Sequence, residues 1–314
     1  MSSPTLEDRF AGCLLGLAVG DALGARFEGR SPEGIAQQYL QPRDLSEHPP
    51  FGELWYTDDT QMMIGVCETL IACGEINYPE LCRRFAENYE LHRGYGRSTQ
   101  LILEAIRDGH DHRMLAEELL PGGSFGNGAA MRVAPVGLAF RGDLAKAAEQ
   151  ARKSAQPTHL HRLGIEGAEL LAAAVALASC TERFDRDSFF EQLQAVAPSL
   201  EYAGPLGRAR GLTERRDLVL FGNGIAATDS VGTAIASFAR TPDNYSETIG
   251  SVILLGGDTD TMAAMAGAIS RAYLGRAAIP EKLLDALEDG PKGRRYLETL
   301  ALQMCRRFSH RSNE

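Results

Sequence analysis

Two short stretches of the sequence put hydroxyls and carboxylates side by side: YTDDTQMM, with Thr57, Asp58 and Asp59, and GGDTDTM, with Asp258, Asp260 and Thr261. Each precedes a run with helical spacing, so helix starts account for part of the composition. Thr and Asp satisfy the free amides of a first turn, and acidic residues there complement the helix dipole. Thr57 suits the capping position of the first helix, and Asp258 or Thr259 that of the second. Capping does not account for two near-duplicate acid clusters. If the two helix starts meet, four carboxylates converge, and each pair at about 4 Å costs on the order of 4 kcal/mol unless cations or protons intervene. The donors are all oxygen, with no His or Cys, which favours Mg²⁺ or Mn²⁺ over zinc. Two such ions can share a site, polarise substrate oxygens and supply water as a nucleophile.

The stretch VILLGGDTDT also has the outline of a phosphoaspartyl nucleophile, an apolar strand followed by DxDxT, as in haloacid dehalogenase-type phosphatases. Met262 departs from that pattern, Gly256 and Gly257 interrupt the supposed strand, and no α/β alternation surrounds it. Two glycine-rich turns offer different chemistry. GGSFGNGAAMRV contains Ser124, Phe125, Gly126, Asn127 and Gly128, and FGNGIAATDSVGTAI contains Asn223, Gly224 and Ile225. In both, a Gly-Asn-Gly turn precedes an Ala-rich segment, so backbone N–H groups can cluster into a nest for phosphate oxygens. Taken singly, either is better explained by an ordinary turn. Phe125 offers a face for a base or ribose. His159, in QPTHLHRLG, and Glu28, in GARFEGRSPEG, read alone as a satisfied histidine and a solvated loop carboxylate.

The elements that must position these residues are helices. In LEDRFAGCLLGLAVGDALG, Phe10, Cys13, Leu14, Leu17 and Leu23 recur at three- and four-residue steps. Gly12, Gly16, Gly20 and Gly24 line one face, where another backbone can approach closely; at about 1 kcal/mol lost per Gly relative to Ala, such a stripe marks a central helix. Further helices are predicted at Asp58–Ala72, Tyr78–His92, Ser98–Asp108, Gly142–Ser154, Gly164–Ser179, Arg186–Ala195, Ile225–Ala239, Tyr245–Leu255, Thr261–Leu274 and Glu281–Arg307, with prolines near the breaks. Arg132–Phe140 and Asp217–Phe221 are ambiguous candidates for strands, and Pro198–Arg216 reads as a loop. With no linker, repeat or low-complexity tract, residues 1–314 are expected to form a single all-α domain.

A chain of 314 residues with 44% apolar composition can bury a large core, and its net charge of -10 argues against nucleic-acid or anionic-membrane partners. An anionic ligand must be met locally. The six cysteines have no CxxC pairing and read as reduced core residues of a cytoplasmic protein. The apolar run Phe10–Gly20 is too short to span a bilayer and lacks a signal-peptide pattern.

In order along the chain, GCLLGLAVGDALGARFEG, YTDDTQM, RGYGRST, GSFGNGAAMRVAPVG, THLHRLG, GNGIAATDSVGTAI and LGGDTDTMAAMAGAI resemble the ADP-ribosylhydrolase family, which includes the glycohydrolase that reactivates ADP-ribosylated dinitrogenase reductase. The glycine-rich motifs look closest to the branch that removes ADP-ribose from serine and cleaves O-acetyl-ADP-ribose and poly(ADP-ribose). The resemblance implies an orthogonal all-α bundle with a central binuclear metal cleft. It implies two Mg²⁺ ions held by Thr57, Asp58, Asp59, Asp258, Asp260 and Thr261, and a catalytic Glu28. It places Ser124, Phe125, Gly126, Asn127 and Gly128 at the ribose and diphosphate, with His159, Asn223, Gly224 and Ile225 holding the rest of ADP-ribose. The expected partners are ADP-ribose-modified proteins or ADP-ribose esters, met by a monomer. An ADP-ribosyl-arginine hydrolase and a catalytically weak ADP-ribose reader are the alternatives.

Overall fold

Glycines at every fourth position set the centre of the fold. In a computed structural model, which describes residues 3–197 and 199–309, helix Leu6–Gly24 turns its glycine face onto helix Thr259–Leu274. A methyl at Gly20 would lie 2.2 Å from the Ala263 carbonyl oxygen, and one at Gly24 would lie 2.5 Å from the Asp260 Cα. The two backbones therefore approach more closely than any side chain allows, which is the arrangement predicted from the stripe. At Gly16 the notch is filled by the stem of Arg271, whose guanidinium lies 4.5 Å from the Tyr245 ring centre. Tyr245 in turn donates its hydroxyl to the Gly16 carbonyl at 2.9 Å.

Helices Arg162–Cys180, Ala227–Arg240 and Tyr245–Ile253 pack on Thr259–Leu274, while Arg294–Phe308 and Asp58–Cys73 pack on Leu6–Gly24. Arg162–Cys180 is long and apolar enough to cross a bilayer. Its residues Leu170–Val175 are fully enclosed by neighbouring helices, so its apolarity is that of a core helix. Among the described residues there is no β-strand, only two isolated bridges, Leu54 with Leu287 and Gly126 with Ala226. Neither ambiguous segment is a strand: Ala134–Ala139 is a short helix buried on every side, and Asp217–Phe221 falls in the 3-10 turn Arg215–Phe221.

Three further expectations are corrected. The segment read as a loop contains helix Leu200–Arg210, with Pro198 outside the described residues. Its glycines and Pro205 hide a stripe of Tyr202, Leu206 and Ala209, which are buried at helical spacing, and Tyr202 bonds the Leu163 carbonyl at 2.7 Å. Tertiary packing there overrides a poor local propensity. The long terminal helix is two, Glu281–Ala286 and Arg294–Phe308, parted by the Gly290–Pro291 turn. Of the six cysteines, Cys73 and Cys180 are exposed rather than in the core.

Candidate active site

The two acid clusters meet. Helices Asp58–Cys73 and Thr259–Leu274 start side by side, with the Thr261 hydroxyl 3.5 Å from Asp59 Oδ2. Thr57 caps its helix as read, its hydroxyl accepting the Asp59 N–H at 3.3 Å. The second start is different, because neither Asp258 nor Thr259 caps it with a side chain. Thr259 donates its hydroxyl to the Gly24 carbonyl at 2.8 Å, and the Asp258 carboxylate takes the Asn127 side-chain amide. The capping role expected of those two residues gives way to contacts with neighbouring segments.

Gly256 and Gly257 turn the chain into this helix with φ of 67° and 77°. A methyl at Gly257 would sit 2.2 Å from the Asn223 carbonyl oxygen. Gly257 also holds the Glu28 loop: its carbonyl accepts the Gly29 N–H at 2.9 Å and its own N–H donates to the Arg30 carbonyl at 3.2 Å. Glu28 is thereby left exposed beside Asp258 and Asp260, and one oxygen from each of the three lies within 4.8 Å of the others.

A further carboxylate underlies the cluster. Asp21, fully buried on the glycine-striped helix, accepts the backbone N–H and hydroxyl of both Thr57 and Thr60. Burial, reinforced by Asp260, pushes the Asp21 carboxyl up to about 7, against the pull of the Thr60 and Thr57 bonds. Burial first, then Asp21 and Asp260, lifts Asp58 to about 8; burial, then Asp258 and Glu28, lifts Asp260 to about 8. Asp59 and Asp258 are raised mainly by burial. Asp59 Oδ1 is also buried without a hydrogen-bond partner. Converging carboxylates, oxygen-only donors and an orphaned buried oxygen fit a hard divalent cation.

The opposite wall is the pair of glycine turns, zipped together across the Gly126–Ala226 bridge. The Asn127 N–H donates to the Ile225 carbonyl at 2.9 Å, and the Ala227 N–H donates to the Phe125 carbonyl at 3.0 Å. The Ser124 hydroxyl accepts the Gly126 N–H at 3.2 Å. The amides of Gly126 and Asn127 are therefore spent inside the protein, so a phosphate nest as read from the sequence would have to use other N–H groups. His159 is buried beneath this wall, with Nδ1 2.7 Å from the Thr158 hydroxyl. Burial and the charge of Arg132 push its imidazole down to about 3, so it is neutral at ordinary pH.

Acid cluster and glycine wall enclose one cavity of about 390 Å³. Of the residues read as site residues, Thr57, Phe125, Asn223 and Gly224 stand off its lining. Thr57 is turned to Asp21, Phe125 is exposed edge-on to His161 at 5.7 Å, and Asn223 braces the carbonyls of Leu255 and Gly256. The others line it. The sequence reading gave no role to Asp21, Thr60, Arg132 or Thr158, nor to Gly94–Thr99, which supplies a further wall. A signal existed for two of them: Asp21 and Arg132 are isolated charges within buried apolar stretches.

The site is an all-α one, with carboxylates and hydroxyls gathered at two central helix starts facing a glycine-rich wall, and among the described residues there is no strand for a phosphoaspartyl site. The ADP-ribosylglycohydrolase family model matches residues 2–314, and the chain belongs to that family of glycosyl hydrolases. It is similar to the Gallus gallus protein named ADP-ribosylhydrolase ARH3, at 38% identity over 94% of each chain. The Homo sapiens protein of the same name is 35% identical over 89% of each. The ADP-ribosyl-[dinitrogen reductase] glycohydrolase of Rhodospirillum rubrum is more distant, at 27% identity over 92% of this chain and 93% of that one. A solved chain titled ADP-ribosylglycohydrolase-related protein complex superposes with a TM-score of 0.75 at 28% identity, covering 96% of this chain and 98% of that one.

Proposed function

We propose that the chain hydrolyses the C1″ bond of ADP-ribose conjugates in a Mg²⁺-dependent reaction, on ADP-ribosyl-serine, O-acetyl-ADP-ribose and poly(ADP-ribose). The observation that carries this reading is the single cavity in which exposed Glu28 stands beside buried Asp258 and Asp260, across from the Ser124–Gly128 turn. The names of the Gallus gallus and Homo sapiens relatives support the substrate class.

Thr57, Asp58, Asp59, Asp258, Asp260 and Thr261 are the residues proposed to hold two Mg²⁺ ions. Bound there, the ions would supply charge neutralisation and Lewis acidity toward the vicinal hydroxyls of the distal ribose. The rest is the work of the chain. The Glu28 carboxylate, outside the set proposed to hold the ions, favours the positive charge that develops on the ribose as the C1″ bond breaks. Glu28, exposed and tethered through Gly29, is placed to carry a proton between the leaving oxygen or attacking water and solvent. Asn127 keeps Asp258 turned into the cleft while its backbone fixes the glycine wall.

The test is a panel of matched ADP-ribosyl-serine, ADP-ribosyl-arginine, O-acetyl-ADP-ribose and poly(ADP-ribose) with purified protein and Mg²⁺. Release of ADP-ribose from the serine conjugate and the acetyl ester is expected, abolished by EDTA. Release from arginine alone would move the chain to that branch, binding without release would make it a reader, and release of phosphate would overturn the reading altogether.

A further inference from the structure

Arg132 is fully buried; its Nε has no hydrogen-bond partner among the described residues, and its terminal nitrogens make the contacts. Nη2 donates to the Ser154 carbonyl and to the Thr158 hydroxyl, each at 2.9 Å, and Nη1 touches the Met62 sulfur at 3.5 Å. A guanidinium cannot accept, so at the Thr158 contact the hydroxyl oxygen is the acceptor. The hydroxyl hydrogen must go elsewhere. Among the described residues its acceptor is His159 Nδ1, at 2.7 Å. A neutral imidazole whose Nδ1 accepts carries its proton on Nε2.

That Nε2 edge faces the glycine wall of the cavity. Methyls at Gly126 and Gly128 would lie 3.6 and 3.3 Å from it, and His159 itself lines the cavity. The opposite tautomer would leave the buried Thr158 hydroxyl hydrogen without an acceptor and turn a lone pair toward the oxygens of an anionic ligand, both unfavourable.

We propose that Arg132 and Thr158 are positioning residues that lock His159 as its Nε2–H tautomer, a hydrogen-bond donor aimed at an oxygen of bound ADP-ribose. The identity of the acceptor rests on the functional reading above; the tautomer does not. Burial and the Arg132 charge hold the ring neutral, so the donor persists across ordinary pH.

The experiment is nitrogen-15 NMR of histidine-labelled protein, with H159Q to assign the ring, on wild type, T158V and T158S, each also titrated with ADP-ribose. The wild-type ring is expected as the Nε2–H tautomer. T158V should populate the Nδ1–H form and weaken ADP-ribose binding on the order of tenfold, with KM rising more than kcat falls, and T158S should restore both. A wild-type Nδ1–H ring, a T158V ring that keeps the wild-type tautomer, or a tautomer change with unaltered ADP-ribose affinity would overturn the proposal. R132K adds a second probe, and the Thr158 pair decides even where R132K fails to fold. If the tautomer behaves as expected but the wild type releases ADP-ribose from none of the four conjugates, the substrate reading fails and the tautomer assignment stands.

Discussion

Asp21 accepts the Thr60 hydroxyl at 2.5 Å, joining the glycine-striped helix to the first acid-bearing helix from beneath. It satisfies four donors at the start of helix Asp58–Cys73, the N–H and hydroxyl of Thr57 and of Thr60, and so sets where Asp58 and Asp59 stand. Asp21→Ala would strand those donors in a buried place. A loss of about 3–5 kcal/mol is expected in urea denaturation, with turnover falling as well. A change below about 1 kcal/mol would mean that the start of this helix is held by something other than Asp21.

The carboxylates predict an unusual pH dependence. Asp58 and Asp260 rise from an ordinary 3.8 to about 8 in the folded chain, chiefly through burial. For an acid with a raised folded value, the folded state binds more protons than the unfolded one. This contribution to stability is full below the ordinary value and is lost as pH rises through about 8. Glu80, held down to about 2 by Arg83 against its usual 4.5, has the opposite sign and acts only at lower pH. In EDTA the melting temperature should therefore fall from about pH 5, above the range where Glu80 acts, to about pH 8 and level off beyond it, and saturating Mg²⁺ should flatten or reverse the fall, because cations bind the ionised carboxylates. Identical slopes with EDTA and with Mg²⁺ would remove the cation from the site.

What could be read from the sequence follows what each residue has to do locally. The glycine stripe and both acid clusters were legible because small residues at four-residue steps and Thr-Asp at a helix start carry their reason in their spacing. The isolated charge of Asp21 was visible but its role was not, since its partners Thr57 and Thr60 lie more than thirty residues away. Helix Leu200–Arg210 was hidden by Gly204, Pro205 and Gly207, whose poor propensity is overridden by packing that only the tertiary structure shows. Arg132 stands out as an isolated charge in an apolar stretch, but its partner Thr158 looks like an ordinary polar residue until the fold stacks the two behind His159.

Gly20 tests the close contact of the two central helices. Replacing it with Ala improves local helix propensity by about 1 kcal/mol. The added methyl would meet the Ala263 carbonyl oxygen at 2.2 Å and its carbon at 2.6 Å, and backbone cannot swing aside as a side chain does. Net destabilisation of about 2 kcal/mol or more is expected by calorimetry. Gly290→Ala, where nothing lies within 4 Å, is the control and should be close to neutral. Equal melting temperatures for the two variants would show that the helices can separate without cost.

Glu28 and Asp258 share one acidic cluster but differ in burial, and their substitutions should separate chemistry from stability. Glu28→Gln removes an exposed carboxylate, so kcat should fall by about 10²–10⁴ with little change in melting temperature. Asp258→Asn removes a buried charge from a crowded site while leaving an oxygen to accept from Asn127. It should abolish turnover yet leave the metal-free protein as stable as wild type or more so at about pH 8, because one source of repulsion is gone. Asp58→Asn should follow the same pattern, whereas Asp21→Asn, which loses acceptor strength toward Thr57 and Thr60, should lose stability. Melting curves in EDTA and steady-state rates in Mg²⁺ on the four variants check this. If Asp258→Asn and Asp58→Asn both kept wild-type kinetics, the assignment of these aspartates as metal ligands would be wrong. If Glu28→Gln kept the wild-type rate across pH, the exposed carboxylate would have no part in proton transfer.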